Sequence, residues 1–163
     1  MRKVHIDIPS QTLTTYESES VVKSYSISSA LNGVGQANGS GCTPLGSHYI
    51  RAKIGHGQHV GAVFIGRRFT GEIYTAELGE KYPNRDWILS RILWLSGLTP
   101  GYNRLSGPDG KVDSMARYIY IHGTPDTEPM GVPKSHGCIR MRNTDVVEFF
   151  DWAPDFCPVY IDG

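Results

Sequence analysis

Arg117-Tyr118-Ile119-Tyr120-Ile121-His122-Gly123-Thr124 alternates two isoleucines with Tyr118, Tyr120 and His122, which predicts a strand over Arg117 to His122. Ile119 and Ile121 fall on one face of it, and Tyr118, Tyr120 and His122 on the other. A histidine is thereby aimed into the side that two tyrosines occupy. Beyond a Pro- and Gly-bearing loop comes Ser135-His136-Gly137-Cys138-Ile139-Arg140-Met141. Together the two segments supply a cysteine nucleophile and two candidate bases, His122 and His136. A thiol with its ordinary pKa near ~8.5 is only a few per cent thiolate at neutral pH and needs such a neighbour. The chemistry they point to is acyl transfer through a thioester.

Outward from this centre, short β-branched and aromatic runs alternate with glycine-rich connectors, which argues for a mainly β domain. Lys3 to Ile8 alternates Val4, Ile6 and Ile8 with Lys3, His5 and Asp7, and Pro9-Ser10 turns the chain. Gln11 to Tyr16 and Val21 to Ile27 continue an antiparallel meander. Asn32 to Gly46 is a loop, and Tyr49 to Ile54 and Val60 to Ile65 are the next strands. Asp86 to Leu95 reads as a strand with Trp87, Leu89, Arg91, Leu93 and Leu95 on one face. Leu98 to Lys111 is a loop. After Cys138, Asn143 or Thr144 is expected to cap a helix running through Trp152, with Val146, Phe149 and Phe150 as its apolar face and Pro154 as its stop. Pro158 to Ile161 is expected to close the sheet.

The 163 residues suit one domain, 1–163, large enough to bury a core without disulfides or metal. Lys plus Arg equals Asp plus Glu at 16 each, so no net field favours nucleic acid or an anionic membrane, and recognition is local. No run is long and apolar enough to cross a bilayer. Met1 to Pro9 has no apolar core of a signal peptide. If Met1 is the natural start, the expected location is the cytoplasm, and otherwise outside the membrane. Three cysteines suit a reducing compartment, and the odd count leaves at least one of them free under any pairing.

The Ile-His-Gly-Thr strand end followed by Ser-His-Gly-Cys-Ile-Arg-Met resembles the signature of the L,D-transpeptidase catalytic domain, or YkuD type. Thr43-Pro44-Leu45-Gly46-Ser47-His48-Tyr49-Ile50 is similar to a third run of that family. The loop from Gly123 to Lys134 is slightly shorter than the family pattern, and Arg140 stands where asparagine is frequent. The resemblance implies a β-sandwich or incomplete barrel with one or two short helices, acting on peptidoglycan stem peptides without a cofactor. It implies Cys138 as nucleophile and His122 as the base that holds the thiolate as an ion pair. The Gly123 carbonyl orients the imidazole, completing a triad. The backbone N–H groups of Gly137 and Cys138 would face the oxyanion, a donor worth ~2.7–4 kcal/mol of barrier. His136 then shapes that pocket or donates a hydrogen bond, and Ser135 is a supporting or turn residue. Thr43 lies in the loop beside the cleft, and Tyr120 lines it. Arg140 is the candidate for a substrate carboxylate, against a purely structural pairing with Asp145 or Glu148; Arg91, Arg104 and Arg117 are weaker candidates.

Zinc on His122, His136 and Cys138 is the rival chemistry, but no C-x-x-C or H-E-x-x-H spacing accompanies them. His56 and His59 lack a third ligand nearby, so no metal is expected. The partner expected is a muropeptide or nucleotide-linked tetrapeptide. Resolution of the acyl-enzyme by water gives an L,D-carboxypeptidase that removes terminal D-alanine during murein recycling. Resolution by an amine gives an L,D-transpeptidase. An inactive binder of wall fragments and an antibacterial effector are the readings from other classes.

Overall fold

The computed structural model describes residues 1–163. The strands in chain order are β1 (Arg2–Asp7), β2 (Thr12–Glu17), β3 (Ser20–Ser28), β4 (Gly46–Ile54), β5 (Ala62–Ile65) and β6 (Arg68–Ile73). After helix α1 (Ala76–Lys81) come β7 (Ile88–Gly97), β8 (Ser106–Gly107), β9 (Gly110–Lys111), β10 (Tyr120–Thr124) and β11 (Ile139–Arg142). Helix α2 (Asn143–Trp152) and β12 (Pro158–Asp162) complete the chain. This is the mainly β architecture with two short helices that the sequence and the family resemblance lead one to expect.

The meander forms as the alternation dictates. Val4 pairs with Thr15 and Ile6 with Leu13, and Val4, Ile6 and Leu13 are buried. Its other edge is completed from the far end of the chain: β12 lies parallel to β1, Ile6 opposite Ile161, and antiparallel to β4. The order β10-β11-β3-β2-β1-β12-β4-β7, with the added pairing of β10 to β7, closes eight strands into a barrel-like ring. Closure satisfies the backbone groups that an open edge would leave unpaired. β5 and β6 extend from β7 as a hairpin. Inside lie Ile27, Ile50, Leu93, Leu95, Ile121 and Met141, with Val146, Phe149 and Phe150 of α2 packed among them. Each such buried side chain contributes about 1.5–3 kcal/mol relative to exposure.

β7 is bent. Ser90 has φ 71°, and the β10 pairing jumps from Ile92 to Leu89 across it. The single face expected for Trp87 to Leu95 is therefore split. Trp87 and Leu89 pack with Val63, whereas Leu93 and Leu95 enter the main core. The Ser90 hydroxyl fills the bend, accepting from Gly61 N at 2.9 Å and donating to Asn143 Oδ1 at 2.7 Å.

Three local expectations are corrected. β10 begins at Tyr120 rather than Arg117, because Tyr118 adopts φ 57°, outside the extended region. Neither Asn143 nor Thr144 caps α2. Arg142 holds the cap position without a side-chain bond, and the Asn143 amide turns inward, donating to Thr124 O at 3.0 Å. Leu98 to Lys111 carries the small β8–β9 ribbon rather than loop alone.

Candidate active site

β10 lies between β7 and β11, and the parallel β10–β11 register sets His122 opposite Arg140. Cys138 is the residue before β11. His122 is buried, and its Nδ1 lies 2.6 Å from Gly123 O. A carbonyl only accepts, so Nδ1 carries the hydrogen and Nε2 keeps its lone pair. Gly123 fits because it lacks a side chain: an added methyl would overlap Asn143 Oδ1 and come within 2.6 Å of Leu89 O.

Cys138 is held by backbone on both sides. Tyr120 N–H donates to its Sγ at 3.4 Å, and the thiol donates to Tyr118 O at 3.4 Å. Burial pushes the thiol up to about 11, with Asp86 adding to the rise and the Tyr120 N–H, Arg140 and Arg117 opposing it. Burial also pushes His122 down, against the pull of the Gly123 carbonyl and Asp86. Both shifts favour neutral partners. Burial thus works against the thiolate–imidazolium pair that the family resemblance implies, because a weakly polarizable surrounding disfavours charge on either group.

The turn before β11 differs in detail from the expectation. Gly137 has φ 133°, and its N–H donates to Ser135 Oγ at 3.2 Å. Ser135 Oγ in turn donates to Cys138 O at 2.5 Å. Gly137 N–H is thus engaged within the turn, while Cys138 N–H has no acceptor in the protein. Thr43 is fully buried. Its hydroxyl accepts from Ala30 N at 2.9 Å and donates to Gly137 O at 3.0 Å, so it braces the turn instead of reaching open space. Arg117 ties the same loop down through Cys42 O, at 2.6 Å from Nη2.

Cys138, His122, Tyr120, His136 and Arg140 line one cleft of about 230 Å³. A polar hollow of about 310 Å³ adjoins it, sharing Asp86, His136 and Arg140. Tyr120 accepts at its hydroxyl from Arg67 Nη1, 3.0 Å away, and Arg67 stacks 4.5 Å from the Trp94 ring centroid. Arg140 pairs neither with Asp145 nor with Glu148. Its neighbours are Asp86 and Glu128, each at 3.7 Å, since Glu148 on α2 is taken by Lys23 and Tyr25. Arg91 lies 5.5 Å from the Phe150 ring centroid and donates to Gln58 O, away from the cleft. Asp86, Glu128 and Arg67 went unrecognised in the sequence. They stand in loops and turns with no motif, and only folding brings Asp86 and Glu128 beside Arg140 and Arg67 onto Tyr120. No three His, Cys, Asp or Glu side chains gather closely enough to hold a metal ion, and no helix is long and apolar enough to cross a membrane.

The fold is that of solved L,D-transpeptidases. An L,D-transpeptidase from Mycobacterium smegmatis superposes with a TM-score of 0.56 at 16% identity, over 99% of this chain and 58% of that one. One from Xylanimonas cellulosilytica gives 0.55 at 19% identity, over 98% and 59%. A model of the L,D-transpeptidase catalytic domain, YkuD, matches residues 1–161, and the chain belongs to that family. Among curated relatives, the probable L,D-transpeptidase YbiS of Escherichia coli is 40% identical over 53 residues, 30% of this chain and 17% of that protein. The chain thus spans a little over half the length of these structures and a smaller part of YbiS.

Proposed function

We propose that the protein is a cysteine-dependent L,D-carboxypeptidase that removes the terminal D-alanine of peptidoglycan tetrapeptides. The observation that carries the reading is the Nδ1-protonated His122, fixed by Gly123 O, in the same cleft as the Cys138 thiol. Cys138 Sγ attacks the carbonyl between the diamino acid and D-alanine. The thiol turns from Tyr118 O to His122 Nε2, which takes its proton as the C–S bond forms and delivers it to the departing amine. Because burial disfavours charge on both groups, proton transfer accompanies attack instead of preceding it. Cys138 N–H, free of protein partners, is the backbone donor nearest the developing oxyanion. Water, deprotonated by the same Nε2, then attacks the thioester; the C–S bond breaks, the proton passes from Nε2 to Cys138 Sγ, and the tripeptide acid is released. Arg140 engages a carboxylate of the stem, and Tyr120 forms the cleft wall.

Hydrolysis is favoured by the hollow beside the cleft, which is polar and gives water a route to the thioester. Resolution by an amine is the second reading: Asp86 and Glu128 would draw an ammonium to the same place. The three free thiols suit a cytoplasmic role in recycling wall fragments, on muropeptide or nucleotide-linked tetrapeptide. The test is a mass-spectrometric time course with a disaccharide-free tetrapeptide, with and without an added D-amino acid. D-alanine and tripeptide as main products, absent with Cys138→Ala, support the carboxypeptidase. Cross-linked dimer or exchanged peptide as the main product would replace it with the transpeptidase.

A further inference from the structure

His122 bonds the carbonyl of the next residue on its own strand, with Nδ1 2.6 Å from Gly123 O. A regular strand does not offer that bond. Its carbonyls lie along the ladder while its side chains stand perpendicular to the sheet, so the two meet only where the peptide is tilted out of the ladder. The register breaks at this place. β7 sets Ile92 opposite His122 and then Leu89 opposite Gly123, which leaves Ser90 and Arg91 as a bulge facing the His122–Gly123 peptide. Bulges increase local twist and re-aim the groups beside them.

A buried, uncharged knot holds the bulge. Ser90 is fully buried and adopts φ 71°, a left-handed conformation that strains any residue but glycine. Its hydroxyl accepts from Gly61 N at 2.9 Å and gives its single hydrogen to Asn143 Oδ1 at 2.7 Å. The other end of that amide, Nδ2, donates to Thr124 O at 3.0 Å. Between the two bonds, Asn143 Oδ1 lies over Gly123 in the space a methyl would need. One side chain at the start of α2 thus pins the β7 bulge and the end of β10 on either side of the carbonyl that orients the base. Both residues break a local rule, Ser90 by its φ and Asn143 by turning inward at a helix start that has no side-chain cap. Such departures concentrate where function needs them.

Building on the reading of His122 as the base, we propose that Ser90 and Asn143 are positioning residues for the reaction. Together they hold Gly123 O against His122 Nδ1 and so keep the lone pair on Nε2, the tautomer that proton transfer from Cys138 requires. Neither touches substrate. Without the knot the bulge relaxes, the Gly123 peptide turns back toward the ladder, and the imidazole hydrogen is free to sit on either nitrogen.

Two variants test this. In Ser90→Gly the new residue accepts the left-handed φ, so only the hydroxyl is lost. Asn143→Asp still accepts from Ser90 but has no N–H for Thr124 O. Ile6→Val, on the strand opposite β10 in the ring, is the control for destabilisation alone. Each protein is read by long-range 1H–15N NMR of the His122 ring and by steady-state D-alanine release from tetrapeptide. The unaltered ring should carry its hydrogen on Nδ1. In both site variants the ring nitrogens should move toward a mixture of tautomers, and kcat should fall roughly ten- to hundredfold with KM little changed. Ile6→Val should leave both readouts in place. Where the unaltered enzyme turns over, a tautomer or a kcat unmoved in both site variants would overturn the proposal. An equal loss of kcat in Ile6→Val would overturn it too, since the knot would then serve stability alone. A tautomer shift in the variants, with no D-alanine released by the unaltered enzyme, would sink the carboxypeptidase reading and leave the positioning of His122 standing; release with the tautomer unmoved would do the reverse.

Discussion

Alkylation of Cys138 by iodoacetamide across pH 7 to 10 reports the charge state on which the mechanism turns. The reagent consumes thiolate, and burial pushes this thiol up to about 11. Such a group is thiolate to roughly one part in ten thousand at pH 7, against about three parts in a hundred for a free thiol near ~8.5. Cys138 should therefore react about 300-fold more slowly than free cysteine at pH 7, with a rate climbing about tenfold per pH unit to pH 10. Free cysteine levels off before that. Peptide-level mass spectrometry separates Cys138 from Cys42 and Cys157, and Cys157, also pushed up by burial to about 11, is an internal control. Asp86→Asn removes a carboxylate that raises the thiol, so it should speed reaction at pH 8. A rate already level by pH 7 would refute the reasoning, because it would mean that an imidazolium holds the thiolate despite burial of both.

Gly123→Ala forces a methyl against Asn143 Oδ1 and Leu89 O. It should cost about 1–3 kcal/mol in urea unfolding, and activity should fall further than stability explains, because the carbonyl that fixes His122 moves with it. Asn143→Ala leaves buried Ser90 Oγ and Thr124 O without their partner, which should lower stability by about 1–3 kcal/mol. His48 is fully buried, with Nδ1 on Gly46 O and Nε2 on Ser114 Oγ, and burial pushes its pKa down. Below about pH 6.5 the unfolded chain takes up a proton that the folded one refuses. This stabilisation is complete above that pH and is lost as the pH falls, so the urea midpoint should drop between pH 7 and 5 and the slope should flatten in His48→Gln.

The parts of the fold legible in the sequence are those where burial is one-sided. Val4, Ile6 and Leu13 declare the meander by alternation, and Val146, Phe149 and Phe150 declare α2 by helical spacing. β6 was missed because its face from Arg68 to Thr70 is exposed, which leaves no apolar period to detect. α1 buries no residue at all, and β11 spans only Ile139–Arg142, inside a run read for its chemistry. That Pro158 to Ile161 closes the sheet was legible, but its partners were not, since the parallel pairing of β1 with β12 joins opposite ends of the chain and no local pattern records it. The same division holds at the site. Cys138, His122 and Gly123 sit in the runs that carry the family resemblance. Asp86 and Glu128 are single exposed acids whose meaning comes from an arginine that folding brings beside them.

Rapid-quench intact-mass spectrometry of the enzyme with tetrapeptide tests the central claim most directly. The account predicts a transient adduct of the tripeptide acyl group, mapped to Cys138, appearing with free D-alanine and decaying to tripeptide. D-alanine release with no adduct, persisting in Cys138→Ala, would contradict a thioester mechanism at this cysteine.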